Sequence, residues 1–205
     1  MNKKALIFLI ILAAVAGGFF YLWLSQPVKE PEEVSQPPRW SPAEDYVIEE
    51  RPEGKFVVNE KAGLSFKVPE GWKVNIEGEE ALVELFSPDA ELDQNNVLNK
   101  GCRILATVYY QEEEFVRIKN QIESVKETSE KSKEEYGVTY KVVEISGYSA
   151  LKGIGTEKPK IGQSIEMALP IEEGEIIGIG TQILSEYKER CLKEFDEFLE
   201  TIVIK

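Results

Sequence analysis

The sequence predicts an α+β sandwich preceded by one N-terminal transmembrane helix. Three observations carry this reading. Lys3 and Lys4 are followed by an uncharged, mostly apolar run from Ala5 to Leu24, and about 20 such residues at ~1.5 Å rise span the hydrocarbon core. From Phe56 onward, short segments alternate apolar with polar residues as half-buried strands do. Two further segments repeat apolar residues at helical spacing instead, and sheet plus amphipathic helices make an α+β sandwich.

The two lysines place residues 1–4 in the cytoplasm by the positive-inside rule, and Phe19, Phe20, Tyr21 and Trp23 suit the opposite interface. Everything after Leu24 is therefore expected outside the cytoplasm, on a single-pass signal-anchor at the cell membrane. Ala14-Val15-Ala16 offers the alternative of a cleaved signal peptide. Cleavage there would leave Gly17–Leu24 as an apolar N-terminus, which favours the uncleaved anchor. No Cys follows the run as a lipoprotein acceptor. Residues 25–55 carry Pro27, Pro31, Pro37, Pro38, Pro42 and Pro52 among Glu, Ser and Gln. Such a stretch buries too little apolar surface to fold and reads as an extended stalk, with Trp40 and Tyr46 as isolated aromatics in it.

The folded domain is expected over residues 56–205. Phe56–Val58, Leu64–Val68, Trp72–Ile76 and Ala81–Phe86 read as a meander of antiparallel strands, and Cys102–Tyr110 resumes the pattern with Cys102, Ile104, Ala106 and Val108 on one face. Glu112 to about Lys133 changes period: Phe115, Ile118, Ile122 and Val125 form a narrow helical stripe, with acids in the first turn and i,i+4 pairs at Glu113–Arg117 and Glu127–Lys131. Tyr136–Glu144, Tyr148–Thr156, Ile161–Leu169 and Glu175–Leu184 read as four more strands. Ser185–Thr201 closes the chain as a helix with Tyr187, Cys191, Phe195, Phe198 and Ile202 on one face, Ser185 serving as its N-cap.

Phe66-Lys67-Val68-Pro69-Glu70-Gly71-Trp72, the turn Ile145-Ser146-Gly147-Tyr148-Ser149-Ala150 and the ending Phe198-Leu199-Glu200-Thr201-Ile202 resemble the PsbP/Mog1-like proteins from about Phe56 to Lys205. The resemblance implies an antiparallel sheet between helices, an α/β/α sandwich, used for docking to other proteins rather than for catalysis. Nothing in the chain marks photosynthesis, so no photosystem role is carried over.

Composition narrows function further. With 37 Asp and Glu against 24 Lys and Arg, the formal net charge of -13 repels nucleic acid and anionic lipid, whose phosphates need clustered cations. His is absent, which removes Ser-His-Asp and Cys-His catalysis and His-ligated metals. Cys102 and Cys191 are the two cysteines; both lie on apolar faces in an expected oxidising compartment, so a disulfide between them is expected, with two buried thiols as the alternative.

Four motifs remain. Asp89, Glu91, Asp93 and Asn95 alternate like the first half of a calcium loop, but Gln94 replaces the turn Gly and Lys100 the bidentate Glu. A solvated acidic loop is the better reading; calcium is the ion the loop would take, and no cofactor is expected. Ser149 with Lys152, and Ser185 with Lys188, match Ser-x-x-Lys without its companion motifs. Gly153-Ile154-Gly155-Thr156 and Gly178-Ile179-Gly180-Thr181 place glycines on one face of two strands, a bare patch that admits a closely packed helix or leaves a shallow groove. The functional expectation is a non-catalytic extracytoplasmic binding or assembly module that docks a protein partner of the cell envelope, or a small ligand. A hydrolase using Glu carboxylates or a Ser-Lys pair is the alternative.

Overall fold

Alternation at period two dictates most of the architecture seen in the computed structural model, which describes residues 37–127, 133–135, 137–155 and 162–205. The tip at 1–4, the transmembrane helix at 5–24 and stalk residues 25–36 lie outside the described residues. Among the described residues, no helix is long and apolar enough to cross a membrane.

The chain enters through β1 (Arg39–Trp40), a 3-10 turn (Ala43–Asp45) and β2 (Tyr46–Arg51), then β3 (Gly54–Asn59) and β4 (Leu64–Lys67). Next come β5 (Lys73–Glu77), β6 (Leu82–Phe86), the small hairpin β7 (Glu91–Leu92) and β8 (Leu98–Lys100), and the long β9 (Cys102–Tyr110). Helix α1 (Glu112–Glu127) leads to β10 (Lys133–Glu135), β11 (Val138–Ile145), β12 (Tyr148–Gly155), β13 (Gln163–Pro170) and β14 (Glu175–Ile183). A 3-10 turn (Ser185–Tyr187), α2 (Lys188–Leu199) and β15 (Val203–Ile204) complete it.

The main sheet has nine strands in the order β10, β11, β12, β13, β14, β9, β6, β5, with β1 beside β9. Every pairing is antiparallel. A second sheet of four strands runs β15, β4, β3, β2. Among the described residues the fold is α+β, mostly antiparallel sheet with two short helices. Along β14 the faces separate cleanly: Ile176 packs with Ile118, Ile122 and Val125 of α1, while Ile177, Ile179 and Ile183 pack with Cys191, Phe195 and Phe198 of α2 and with Val57, Leu64 and Phe66 of the second sheet. The layer opposite α1 is thus a helix plus a sheet, where the α/β/α expectation placed helix alone.

Residues 39–51, expected in the stalk, belong to the fold. β1 pairs Trp40 with Tyr109, and β2 pairs along the whole of β3. The physical reason is burial at one end of the segment: Tyr46 is 7% exposed, and its hydroxyl oxygen accepts the Val108 N–H at 3.0 Å. Prolines bracket this strand without interrupting it, Pro42 before the 3-10 turn and Pro52 in the hairpin bend. The 3-10 turn at Ser185 corrects the capping expectation, since neither that turn nor α2 has a side-chain N-cap bond. Arg117 pairs with Glu114 at i,i+3 rather than with Glu113; Glu127–Lys131 lies partly outside the described residues.

Burial pushes the Tyr46 hydroxyl up to about 12, against the opposing pull of its bonds with Asn59 and Val108. The folded state keeps this proton after an unfolded chain would lose it near pH ~10. Its stability contribution is therefore complete below about pH 10 and is lost as pH rises toward about 12, on the order of 2–3 kcal/mol. Urea titrations from pH 9 to 12 should show this loss, and Tyr46→Phe should make it shallower. An identical decline in the variant would refute the assignment.

Candidate functional site

α1 buries a stripe only three residues long, so it covers one end of its sheet face and leaves the rest open. Its contacts fall on Leu151 and Ile176, with Tyr109, Tyr140, Val142 and Ala168 at the margin. Beside it lies a groove of about 570 Å³ whose lining includes Trp40, Leu82, Leu105, Thr107, Tyr109, Ile118, Tyr140, Gly153, Glu166, Gly178 and Gly180.

The strand register explains the floor. Glu166 of β13 pairs across to Gly153 on one side and Gly180 on the other, and Gly180 in turn faces Leu105. Residues with no Cβ therefore flank a single carboxylate. A Cβ at Gly153 would meet the Tyr140 ring at 3.3 Å, and one at Gly178 would meet Thr107 Cγ2 at 3.0 Å, so these two glycines let neighbouring side chains lean inward. Both glycine motifs thus form a groove beside α1; the helix flanks the patch and does not close it.

Aromatic rings flank the groove next to α1. Trp40 and Tyr109 lie with ring centroids 4.9 Å apart. Burial, followed by the Glu114 carboxylate, pushes the Tyr109 hydroxyl up to about 12. At the rim Arg117 Nε donates to Glu114 Oε2 at 2.7 Å and Nη1 to Gln121 Oε1 at 3.3 Å; the Glu114 carboxylate holds Arg117 above its ordinary range. Deeper on the same face Arg103 pairs with Glu84, and Asn75 donates to the other oxygen of Glu84 at 3.0 Å.

The acidic loop is organised differently from a metal centre. Arg190 makes two bonds to Asp89, each 3.0 Å, and the Ser87 hydroxyl donates a third at 2.8 Å; Arg190 first, then Ser87, holds Asp89 below the usual carboxylate range. Glu91 pairs with Lys100 at 2.8 Å. Asp93 accepts the Asn95 and Val97 amides at 2.7 and 3.0 Å, closing its own turn. Asn95 is exposed in that turn. Among the described residues no group of three or more His, Cys, Asp or Glu could hold a metal.

The serines are also placed. Ser149 and Lys152 sit three apart on β12 and so point to opposite faces; Lys152 lies 3.9 Å from Asp196. Ser149 instead accepts a bond from Lys126 Nζ at 2.7 Å and donates to Glu144 at 2.7 Å. This Lys-Ser-Glu chain is exposed and outside the groove. Ser-Lys catalysis needs a lysine withdrawn from water and facing the serine; Lys126 is exposed, and Lys152, 17% exposed, faces away from Ser149 toward Asp196. Ser185 lies in the 3-10 turn before α2 with Lys188 at the helix start, where the two belong to no cavity of the groove face. Cys102 and Cys191 form a disulfide with Cα atoms 5.5 Å apart, tying β9 to α2.

Sequence reasoning missed Trp40, Tyr109, Tyr140 and Glu166 as groove residues. The repeated Gly-Ile-Gly-Thr pattern was the available signal, and only cross-strand register adds Glu166 to it.

No family model matches the chain, and no curated protein matches it. Among solved structures it is similar to LpqN, described as involved in cell envelope biogenesis of Mycobacterium tuberculosis, at 12% identity and a TM-score of 0.45, over 69% of this chain and 83% of that one. Membership of the PsbP/Mog1-like family is not shown by these comparisons, and the likeness to LpqN is too distant to assign a role.

Proposed function

We propose that this domain is a non-catalytic binding module that takes a small apolar ligand in the groove beside α1. One observation carries the reading: a concave surface of about 570 Å³, within the roughly 300–1,000 Å³ of ligand sites, is lined mainly by apolar and aromatic side chains. A concave site of that volume encloses a compact molecule, whereas protein interfaces are broad surfaces. Hydrolysis by paired carboxylates needs two that are free; among the lining residues Glu114 is occupied by Arg117, leaving Glu166 by itself. No described surface singles out the protein partner expected in the cell envelope.

Among the described residues the buried ones run from Ser41 to Ile204, and Gln36–Lys205 forms a compact unit of its own, so a fragment of residues 36–205 carries the described fold. Nile red should bind this fragment at one site. Leu105→Arg, on the floor beside Gly180, should weaken binding about tenfold or more, a loss of ~1.4 kcal/mol; Leu82→Arg at the margin provides a second variant if the first unfolds. Unchanged binding in a folded variant would sink the reading.

The module acts outside the cytoplasm, held by residues 5–24. This placement rests on the apolar run and the positive-inside rule. Protease added to intact spheroplasts should release a soluble domain by cutting between Leu24 and Gln36. Full protection of the domain would place it on the other side.

A further inference from the structure

The apolar groove leaves open what polar group its ligand carries, and the charges around it answer that. Among the described residues three charged side chains line it: Glu114, Arg117 and Glu166. The first two neutralise each other through the bond from Arg117 Nε to Glu114 Oε2. Farther along the same sheet face, Arg103 is likewise matched by Glu84. Glu166 has no hydrogen-bond or ion-pair partner among the described residues. Its neighbours across both strands are Gly153 and Gly180, which offer no side chain to screen it. Its Cγ lies 3.9 Å from where a Gly180 Cβ would stand. The carboxylate is thus exposed on the groove face, with residues that carry no side chain across both strands.

We infer that the groove selects small apolar molecules bearing one cationic group, an ammonium or amidinium, with Glu166 as the counter-ion. The inference rests on the groove being the binding surface. A carboxylate unpaired at an apolar floor favours an opposite charge and repels an anion. The aromatic rings of Trp40, Tyr109 and Tyr140 add negative faces that attract the same cation. The matched Glu114–Arg117 pair contributes no net preference of its own.

A matched set of probes tests this: naphthylmethylammonium, naphthylmethanol and naphthoate, each displacing Nile red from the 36–205 fragment. They share a ring system and differ in charge. The ammonium should displace the dye at about threefold to fivefold lower concentration than the alcohol, the size set by one partly exposed ion pair, and naphthoate should be the weakest. Glu166→Gln should bring ammonium and alcohol together, and Glu166→Lys should invert the order, each probe being read against that variant's own Nile red affinity. Equal displacement by ammonium and alcohol in the unmodified fragment would overturn the inference and leave the groove intact as an apolar site. Persistence of the preference in Glu166→Gln would also overturn it, assigning the effect to the overall negative charge. Failure of Nile red itself to bind would instead remove the groove reading, and this one with it.

Discussion

Reducing the disulfide between Cys102 and Cys191 should destabilise the domain by about 4–5 kcal/mol. The cysteines are 89 residues apart in sequence, so the bridge closes a long loop in the unfolded chain and restricts that state strongly. In the folded state it fastens α2 to the start of β9, where Arg190, next to Cys191, also grips Asp89 of the acidic loop. Loss of the bridge leaves α2 held by Phe195, Phe198 and the Asp89 pair. The expected fall in Tm is on the order of 10 °C, read by thermal unfolding with and without reductant. Alkylating the unfolded, unreduced protein gives the complementary result: no added label is expected, whereas two labels per chain would contradict the bridge.

Trp72→Ala is expected to cost about 3–5 kcal/mol. Trp72 is 6% exposed and belongs to the main core together with Phe66 and Val68, which are 1% and 3% exposed. Phe66 meets Phe198 edge to face, with centroids 5.2 Å apart, so the segment from Phe66 to Trp72 holds the second sheet against α2. Removing the indole leaves a void that a close-packed interior fills only in part. Denaturant unfolding should show a lower midpoint, and an unchanged midpoint would make Trp72 a surface contact instead.

The elements readable in the sequence are those with a full buried face. β9 shows it plainly: Cys102, Ile104, Ala106 and Val108 alternate over nine residues, and all four are buried. β13 and β14 follow the same rule. β2 is the counterexample. In Tyr46–Arg51 only Tyr46 is buried, because the strand lies at the edge of the second sheet, and Glu49, Glu50 and Arg51 give it the charged character that guards an exposed edge. Its composition therefore looks like that of a stalk. The groove was half legible. Two Gly-Ile-Gly-Thr segments announced a bare patch, but whether a helix covers it depends on how far the stripe of Ile118, Ile122 and Val125 reaches along the sheet. Glu166 enters only through pairing of β13 with both glycine strands, a register that spacing within one strand does not encode.

The most direct test of groove binding is amide NMR of the 36–205 fragment titrated with Nile red. Shift changes are predicted at Gly153, Gly178, Gly180, Leu105 and Tyr140, saturating together at one equivalent of dye. Changes confined to the second sheet, around Val47 and Val203, or an absence of saturable change at the glycines, would contradict the account.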